Sequence, residues 1–335
     1  MKIFRNVLAL FQVIYRKRVH HLSQQPKNNH DTEKNSSLAA ILGLALTASS
    51  ASSAILVYEG FDYGPAADET RAGNALLDGQ PDGVSDGVNA IGLSGVWADS
   101  TAVTATSDLY MANGSLAFGD LATSGNHFRS DTNNNNDIMS RTISATLAGT
   151  NSELWFSFTA NKLQNDFSAA EGGIVIGNTT VGNARIFEND GSSGLQGFGV
   201  APTTTGDNWT AYGWNGTTQV AGANAFSVPT NGSETNLLVG QIEFDAGTGG
   251  LDIFTLSYYV LNGGSVIGGS LTEITSLEVD VTQSTLDTLN LTRQVNTAYD
   301  EIRIGESLND VVLVPEPSAA LLGALGALLL FRRRR

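Results

Sequence analysis

Hydrophobic and polar residues alternate in short runs through most of the chain, and clusters of Gly, Asn, Asp, Ser and Thr separate the runs. Alternation with a period of two is typical of strands that bury one face, and those residues are typical of turns. No stretch between 55 and 313 keeps a capped, helix-like apolar period. We therefore predict an all-β fold, an antiparallel β-sandwich. Its predicted strands are Ala54–Glu59, Ile138–Leu147, Glu153–Ala160, Gly173–Ile176, Trp209–Trp214, Leu237–Phe244, Ile253–Leu261, Leu286–Arg293 and Ile302–Gly305.

The clearest predicted hairpin pairs Leu237–Phe244 with Ile253–Leu261. In the first run, apolar Ile242 and Phe244 alternate with polar neighbours, which predicts one buried and one solvated face. The segment between the runs, residues 245–250, reads Asp-Ala-Gly-Thr-Gly-Gly. Such residues readily adopt the positive φ that a tight reversal needs.

Residues 1–54 have the pattern of a secretory signal peptide. An apolar core at 38–46 precedes small residues, and the small-x-small rule predicts cleavage after Ala54 or, second, after Ala51. The region before the core is unusually long. A long n-region and a start codon assigned too far upstream both account for it, and the sequence leaves the choice open.

The C-terminal 22 residues, 314–335, have three parts. Val314, Pro315, Glu316 and Pro317 form a stiff break, because proline neither continues a helix nor donates to a sheet. A 13-residue apolar stretch, 319–331, follows, and it is shorter than the ~20 residues that comfortably span a bilayer. The chain ends in four arginines, which favour the cytoplasmic side: Arg332, Arg333, Arg334 and Arg335. An ordinary membrane anchor is the alternative interpretation.

This order of parts resembles the PEP-CTERM sorting signal of Gram-negative bacteria. The resemblance implies recognition by an exosortase-type membrane transpeptidase and processing at or near Pro315–Pro317. It also implies a host that makes exopolysaccharide. We therefore expect an exported protein, held transiently in the inner membrane by its C-terminal helix and then placed at the cell surface or in the extracellular matrix.

Charge and composition narrow the function of the body, residues 55–313. It contains seven Lys and Arg against 30 Asp and Glu, a net charge of −23. Such a surface repels nucleic acid and anionic lipid, so we expect neither as a partner, apart from the membrane contact of the C-terminal helix. The chain has no cysteine, which excludes disulfides and thiol chemistry.

A second resemblance concerns the body. The segments that carry it are residues 58–63 (YEGFDY), residues 95–97 (GVW), the hairpin described above and residues 299–305 (YDEIRIG). Together they resemble PEP-CTERM proteins with a concanavalin-A-like or laminin-G-like jelly roll. The resemblance implies a single domain over 55–313 in which the first and last strands pair. This fold serves lectins, glycosidases and adhesion modules alike, so it implies no single function.

Catalytic chemistry has little support in the sequence. His127 is the only histidine of the body, in what we predict to be a polar loop, and a lone loop histidine is typically solvated. Glu278 and Asp280 resemble part of the Glu-x-Asp-x-Glu strand of laminarinase-related glycosidases, but Thr282 stands where the third acid would be. A solvated strand face is the alternative. We predict no catalytic residue.

Aromatic residues offer a possible sugar-binding surface. Alternation places Tyr212 and Trp214 on one face of their strand and Trp209 on the other. Flat rings stack on sugar rings, and Asn208 and Asn215 lie nearby to hydrogen-bond hydroxyls. Packing in or over the sandwich core is the alternative role for these rings.

A loop rich in oxygen ligands is a candidate calcium site. Asp131, Asn133, Asn135 and Asp137 lie within seven residues, and Ca²⁺ takes six to eight oxygen ligands. A polar loop without metal is the alternative, and the EF-hand pattern is not met.

The sequence thus favours a non-catalytic surface or matrix protein whose sandwich binds polysaccharide, with Ca²⁺ as a candidate cofactor, or contributes structure. A glycoside hydrolase or polysaccharide lyase is the alternative.

Overall fold

The computed structural model describes residues 55–63, 77, 90–99, 109–123, 125–130, 138–147, 152–162, 172–178, 186–187, 194–203, 208–223, 226–227, 234–292 and 297–312. All of them belong to one compact unit, Ser53–Arg335. The predicted signal peptide, calcium loop and sorting signal lie outside these residues.

The described residues form strands almost throughout. The strands are β1 (Ile55–Glu59), β2 (Leu93–Asp99), β3 (Leu109–Ala112), β4 (His127–Ser130), β5 (Ile138–Ile143), β6 (Glu153–Lys162), β7 (Gly173–Gly177), β8 (Gln196–Pro202), β9 (Asn208–Asn215), β10 (Gln219–Ala221), β11 (Phe226–Ser227), β12 (Asn236–Glu243), β13 (Asp252–Asn262), β14 (Ser265–Val279), β15 (Thr288–Thr292) and β16 (Thr297–Gly305). A 3₁₀ turn spans Gln283–Thr285 and a short helix, α1, spans Leu308–Val312. Within this part of the chain, no helix is long and apolar enough to cross a membrane.

The strands form two antiparallel sheets of eight strands each. The first has the order β14-β13-β12-β6-β16-β4-β3, with β1 also paired to β16. The second has the order β10-β9-β8-β7-β15-β5-β2, with β11 also paired to β9. One large apolar cluster draws side chains from both sheets, among them Phe156 and Phe254 from the first and Phe198 from the second. The prediction of an all-β antiparallel sandwich is confirmed.

The first and last strands pair, as the sequence resemblance implied. β1 runs antiparallel to β16, with Val57 opposite Ile304 and Glu59 opposite Ile302. The neighbouring partner of β16 on its other side is β6. The two ends of the body therefore lie side by side within the first sheet.

The predicted hairpin is also confirmed. β12 and β13 pair in continuous register from Leu238 opposite Tyr258 to Glu243 opposite Ile253. Ile242 is buried in the core. In the connecting turn, Asp245 and Gly249 have positive φ, as the turn composition predicted.

A buried polar network joins the two sheets where β1, β2 and β5 meet. Glu59 accepts hydrogen bonds from the Tyr63 hydroxyl, from the Phe61 amide at 2.8 Å and from Nη1 of Arg141 at 2.6 Å. The Tyr63 oxygen in turn accepts from Nε1 of Trp97 at 3.0 Å and from Nη1 of Arg141 at 2.5 Å. Burial raises the pKa of Glu59, and the adjacent Arg141 guanidinium opposes that rise. We call these four side chains, Glu59, Tyr63, Trp97 and Arg141, the inter-sheet network.

The inter-sheet network explains two of the segments that carried the sequence resemblance. Residues 58–63 supply its acid and its phenol, and residues 95–97 supply its indole. Arg141 holds the second segment in place too, because its Nε donates to the Gly95 carbonyl at 3.2 Å. The network has no open surface, since each member is nearly or fully buried. Its role is to close the sandwich.

Each predicted strand has a counterpart, but several observed strands were not predicted. The longest is β14, whose 15 residues include two adjacent glycines, Gly268 and Gly269. β8 likewise alternates glycine with larger residues. The prediction that His127 lies in a loop was wrong, because it begins β4 and its backbone pairs with Ala112 of β3.

Candidate functional site

The outer face of the second sheet is the candidate site. On this face, strand register aligns Ser140 of β5, Asn290 of β15, Val175 of β7, Gly199 of β8 and Tyr212 of β9 in one row. The residues that flank each of these along its strand point inward, as the alternation of a strand requires. Leu289 and Leu291, for example, lie in the core between the sheets.

Aromatic side chains pack on one half of this face. Tyr212 and Trp214 stack with ring centroids 5.9 Å apart. The Phe187 ring meets both edge-on, at 5.0 Å from Tyr212 and 5.4 Å from Trp214. Glycines make room for the rings: a Cβ at Gly173 would lie 2.6 Å from Phe187, and one at Gly199 would lie 2.9 Å from Trp214. The cluster is therefore built into the sheet surface.

The predicted division of the three aromatic residues between two faces is confirmed. Tyr212 and Trp214 lie in the outer cluster, and Trp209 lies in the core, where it meets Phe158 and Tyr299 edge-on. The prediction that Trp209 contacts a ligand was wrong, because the Trp209 side chain is enclosed between the sheets.

Tyr212 and Trp214 are packing residues in this structure. This matches the alternative role given above, in which these rings pack in or over the sandwich core. They are only 7% and 0% exposed, so their ring faces are not open platforms for a sugar. Burial also raises the pKa of the Tyr212 hydroxyl. Of the two nearby amides, Asn215 uses its Oδ1 to accept from the Thr217 and Thr218 amides, at 3.0 and 2.9 Å. Asn215 therefore shapes a turn.

Polar side chains line the other half of the face, on β15 and its neighbour β5. The Ser140 hydroxyl donates to Oδ1 of Asn290 at 2.6 Å. Asn290 is 0% exposed, and its Nδ2 has no hydrogen-bond partner among the described residues. Further along β15, the Thr292 hydroxyl oxygen accepts from the Gly173 amide at 2.8 Å. We call Ser140, Asn290 and Thr292 the polar strip.

Two buried donors on this face are unsatisfied among the described residues. One is Nδ2 of Asn290 and the other is Nε1 of Trp214. A buried donor without an acceptor costs about 1–3 kcal/mol of stability, and native proteins keep few of them. Three inter-strand spacings separate β15 from β9, about 14 Å. Both donors are enclosed, since Asn290 and Trp214 are each 0% exposed.

The same face carries no formal charge at its described strand positions. None of the outward residues of β5, β7, β8, β9 and β15 is Asp, Glu, Lys or Arg. This is unusual in a body with 30 acidic residues. The buried ionic groups lie elsewhere, in the inter-sheet network and on the first sheet. The chemistry of the outer face is thus apolar contact plus neutral hydrogen bonding.

Sequence reasoning did not find the polar strip. Leu289-Asn290-Leu291 alternates as a strand with a solvated side would, and this pattern does not distinguish Asn290 from an ordinary surface residue. Its complete burial depends on what covers the sheet, which alternation does not reveal. The available signal was weak: Thr288, Asn290 and Thr292 give β15 three polar residues on one face.

His127 lies beside a backbone carbonyl oxygen. Its Nδ1 lies 2.5 Å from the Gly114 carbonyl oxygen. The nearby Ser115 hydroxyl donates to the Asp300 carboxylate, which also accepts from the Leu116 amide at 2.9 Å. Burial, and then the neighbouring Glu301 carboxylate, raise the pKa of Asp300 well above its usual range. Asp300 therefore fixes a loop to β16.

Asp300 also begins an irregularity of β16. The register with β6 shifts between Asp300 and Arg303, and Glu301 has a φ of 53°. That left-handed conformation is uncommon for a residue other than glycine. The buried Glu301 carboxylate accepts from Tyr58 at 3.0 Å and from Arg303 at 2.7 Å. The bulge thus turns a carboxylate toward partners on β1 and β16.

Glu278 and Asp280 are both exposed, on either side of buried Val279. The Glu278 carboxylate accepts from the Thr248 amide at 3.3 Å and the Thr248 hydroxyl at 3.4 Å. This placement fits the solvated strand face, the alternative interpretation of this pair.

The remaining predicted site residues lie outside the described residues. They are the calcium candidates Asp131, Asn133, Asn135 and Asp137, and the sorting-signal residues Val314, Pro315, Glu316, Pro317 and Arg332–Arg335. Within the described part of the chain, no group of three or more acidic or histidine side chains could hold a metal ion.

No protein-family model and no curated protein matches the sequence. Several solved structures are similar in fold. An endo-β-1,4-glucuronan lyase from the fungus Trichoderma reesei matches at 9% identity and a TM-score of 0.35, over 61% of this chain and 88% of that one. The VIP36 exoplasmic/lumenal domain in a Ca²⁺/mannose-bound form matches at 7% identity and a TM-score of 0.39. That match covers 72% of this chain and 93% of the VIP36 chain. The carbohydrate-binding module CBM66 from Bacillus subtilis matches at 12% identity and a TM-score of 0.31. That match covers 59% of this chain and 95% of the module. Likeness at this level extends no further than the all-β architecture.

Proposed function

We propose that this protein is a non-catalytic polysaccharide-binding protein and that the outer face of its second sheet is the binding surface. The observation that carries the proposal is the outer face itself, on which no described strand position of β5, β7, β8, β9 or β15 carries a formal charge. Sugars offer apolar ring faces and many hydroxyl acceptors, which is the complement of such a surface. The net charge of −23 on the body favours a neutral polymer over an acidic one.

The aromatic cluster has a supporting role in this proposal. Phe187, Tyr212 and Trp214 are packed together, and they hold the sheet surface rigid beside the polar strip. Rigid support lowers the entropy lost when a ligand is ordered. Sugar contact begins at the polar strip, where Ser140 is half-buried and the neighbouring Thr142 is exposed.

The test incubates the purified protein with the exopolysaccharide of its host, with and without Ca²⁺. One arm measures co-sedimentation and the other measures new reducing ends or unsaturated products. We expect retention without product. Product formation would support the hydrolase or lyase alternative, and absence of both retention and product would leave only a structural role. Dependence of retention on Ca²⁺ would support the proposed calcium loop, and Asp131→Asn with Asp137→Asn should then remove that dependence.

We propose further that the protein is exported and processed by an exosortase-type system near Pro315–Pro317. The support is the order of the C-terminal parts: proline break, short apolar stretch and arginine cluster. Intact-mass measurement of protein from the host's surface should find a C-terminus close to residue 315. A Pro315→Ala, Pro317→Ala variant should accumulate at full length in the inner membrane. A surface form that retains Arg332–Arg335 would contradict the proposal.

A further inference from the structure

The short helix α1 is packed against the outer face of the first sheet. Val311 and Val312 are 0% and 1% exposed and belong to an apolar cluster with Leu237 and Val239 of β12. Leu238, which lies between those two strand residues, belongs to the core between the sheets. The alternation of β12 therefore places α1 on the side of the first sheet that faces away from the second sheet.

Helix α1 lies over the middle of that face. The Ser157 hydroxyl of β6 donates to the Val311 carbonyl oxygen at 2.6 Å. β6 is the fourth of seven strands in the order of the first sheet, so three inter-strand spacings, about 14 Å, separate it from either edge. Along β6, Ser157 lies four residues from the nearer end, Glu153, a distance of about 13 Å. The chain therefore leaves α1 near the centre of the face.

Further contacts fix α1 in this place. The Asp310 carboxylate accepts from the Glu306 and Ser307 amides at 3.0 and 2.7 Å, which ties the helix to the segment before it. A Cβ at Gly305 would lie 2.3 Å from Cβ of Asp310, so β16 and α1 meet too closely for any larger residue at that position. The helix is thus part of the folded body.

The chain between α1 and the C-terminal apolar stretch is short. Six residues, 313–318, separate Val312 from the stretch 319–331. The seven Cα–Cα steps from Val312 to Ala319 span at most ~25 Å when fully extended. A path from α1 to the outer face of the second sheet crosses two layer spacings of about 10 Å each and also runs ~13 Å or more sideways to clear the first sheet. Because that path is longer than the chain, the apolar stretch cannot begin at the outer face of the second sheet.

We infer that, when the apolar stretch 319–331 lies in a membrane, the outer face of the first sheet is turned toward the lipid and the outer face of the second sheet is kept away from it. This inference rests on the proposed C-terminal anchoring and adds the orientation of the body to it. The proposed polysaccharide-binding face is then open before processing as well as after it. Exposed Glu273 and Glu278 on β14 suit a lipid surface without net negative charge, since anionic headgroups repel carboxylates.

The experiment labels single positions of the full chain in phosphatidylcholine vesicles. The chain has no cysteine, so Asn309→Cys on α1 and Thr142→Cys on the outer face of the second sheet each introduce one site for a fluorescent maleimide. Both positions are exposed. Quenching by lipids with a spin-labelled headgroup measures how close each label lies to the membrane surface. Because stacked layers lie ~10 Å apart, we expect the Asn309 label to be quenched at least about two-fold more strongly than the Thr142 label.

Two controls identify the cause of the difference. A flexible Gly/Ser insertion of ~20 residues between Leu313 and Val314 lengthens the connection, so the two labels should then be quenched alike. Leu325→Asp combined with Leu329→Asp puts two carboxylates into the apolar stretch, and this variant should no longer float with the vesicles. Retained flotation of that variant would show that residues 1–54 hold the membrane and would contradict C-terminal anchoring.

The remaining outcomes separate the orientation from the anchoring. A Thr142 label quenched as strongly as the Asn309 label, or a difference that survives the Gly/Ser insertion, would overturn the inferred orientation while the anchoring stands. Failure of the parent chain to float with the vesicles would overturn the anchoring itself.

Discussion

Replacement of Arg141 by Met is the sharpest test of how the sandwich is held closed. Arg141 gives the inter-sheet network its only cation, 2.6 Å from the Glu59 carboxylate. Both side chains are almost fully buried, so water cannot take the place of the guanidinium. Methionine fills similar apolar space but donates no hydrogen bond. The variant therefore leaves a buried carboxylate with two remaining donors, the Tyr63 hydroxyl and the Phe61 amide.

The expected loss follows from that geometry. Removing one partner of a buried ion pair costs about 3–5 kcal/mol of unfolding free energy. For a domain of this size each kcal/mol corresponds to roughly 2–4 °C in Tm. We therefore expect Arg141→Met to lower Tm by roughly 6–20 °C.

The loss should depend on pH in a definite direction. Burial raises the pKa of Glu59, and Arg141 opposes that rise, so the pKa climbs further in the variant. A carboxyl whose folded-state pKa exceeds its unfolded value favours folding at low pH, and this contribution is lost as pH rises through the folded-state pKa. The deficit of Arg141→Met should accordingly be smaller at pH 5 than at pH 8.

Denaturant unfolding at both pH values provides the measurement. Glu59→Gln combined with Arg141→Met is the control, since it removes the charge that the single variant leaves unpaired. The double variant should be more stable than Arg141→Met at pH 8 and should lose most of the pH dependence. A single variant as stable as the parent, or a deficit equal at both pH values, would refute this account of the network.

Three further changes test the packing and the first sheet. A Cβ at Gly213 would lie 2.6 Å from Val279, so Gly213→Ala should lower the unfolding free energy by about 1–3 kcal/mol, and adding Val279→Ala should restore part of it. Burial and a neighbouring carboxylate raise the pKa of Asp300, so stability should fall as pH rises through that pKa, and Asp300→Asn should flatten the slope. Phe187→Ala should cost about 3 kcal/mol and increase acrylamide quenching of tryptophan fluorescence by uncovering Trp214; unchanged quenching would contradict the packing described for this ring.

The sequence predicts a strand correctly where apolar and polar side chains alternate along it. The alternation of Ile242 and Phe244 with acids and an amide is unambiguous, and the strand formed as expected. β8 was missed because Gly197 and Gly199 occupy its outward positions, so no side chain marks the period. Both glycines are required by neighbouring strands: a Cβ at Gly199 would lie 2.9 Å from the Trp214 ring, and one at Gly197 would lie 2.3 Å from the Ile176 carbonyl oxygen. A prediction made from each segment separately cannot detect such a contact between strands.

The candidate site shows the same limit more strongly. Tyr212 and Trp214 were correctly placed on one face, because the period of a strand fixes that. Their burial under Phe187 follows from a tertiary contact with a residue some 25 positions earlier in the chain. Asn290 was overlooked for the complementary reason: a polar residue between leucines is expected in water, and here it is enclosed. The period of a strand tells which face a side chain lies on. It does not tell whether other parts of the protein bury that face.

The pairing of β1 with β16 has a consequence for the order of events during synthesis. The Tyr58 hydroxyl donates to Glu301 across 243 residues of sequence. At about 5–20 residues per second, a chain that has just released β1 needs roughly 12–50 s before β16 exists to receive it. Throughout that interval the first sheet lacks its central strand, and the nascent protein cannot reach its native topology. A body built in this way cannot complete its first sheet until its last strand has been made.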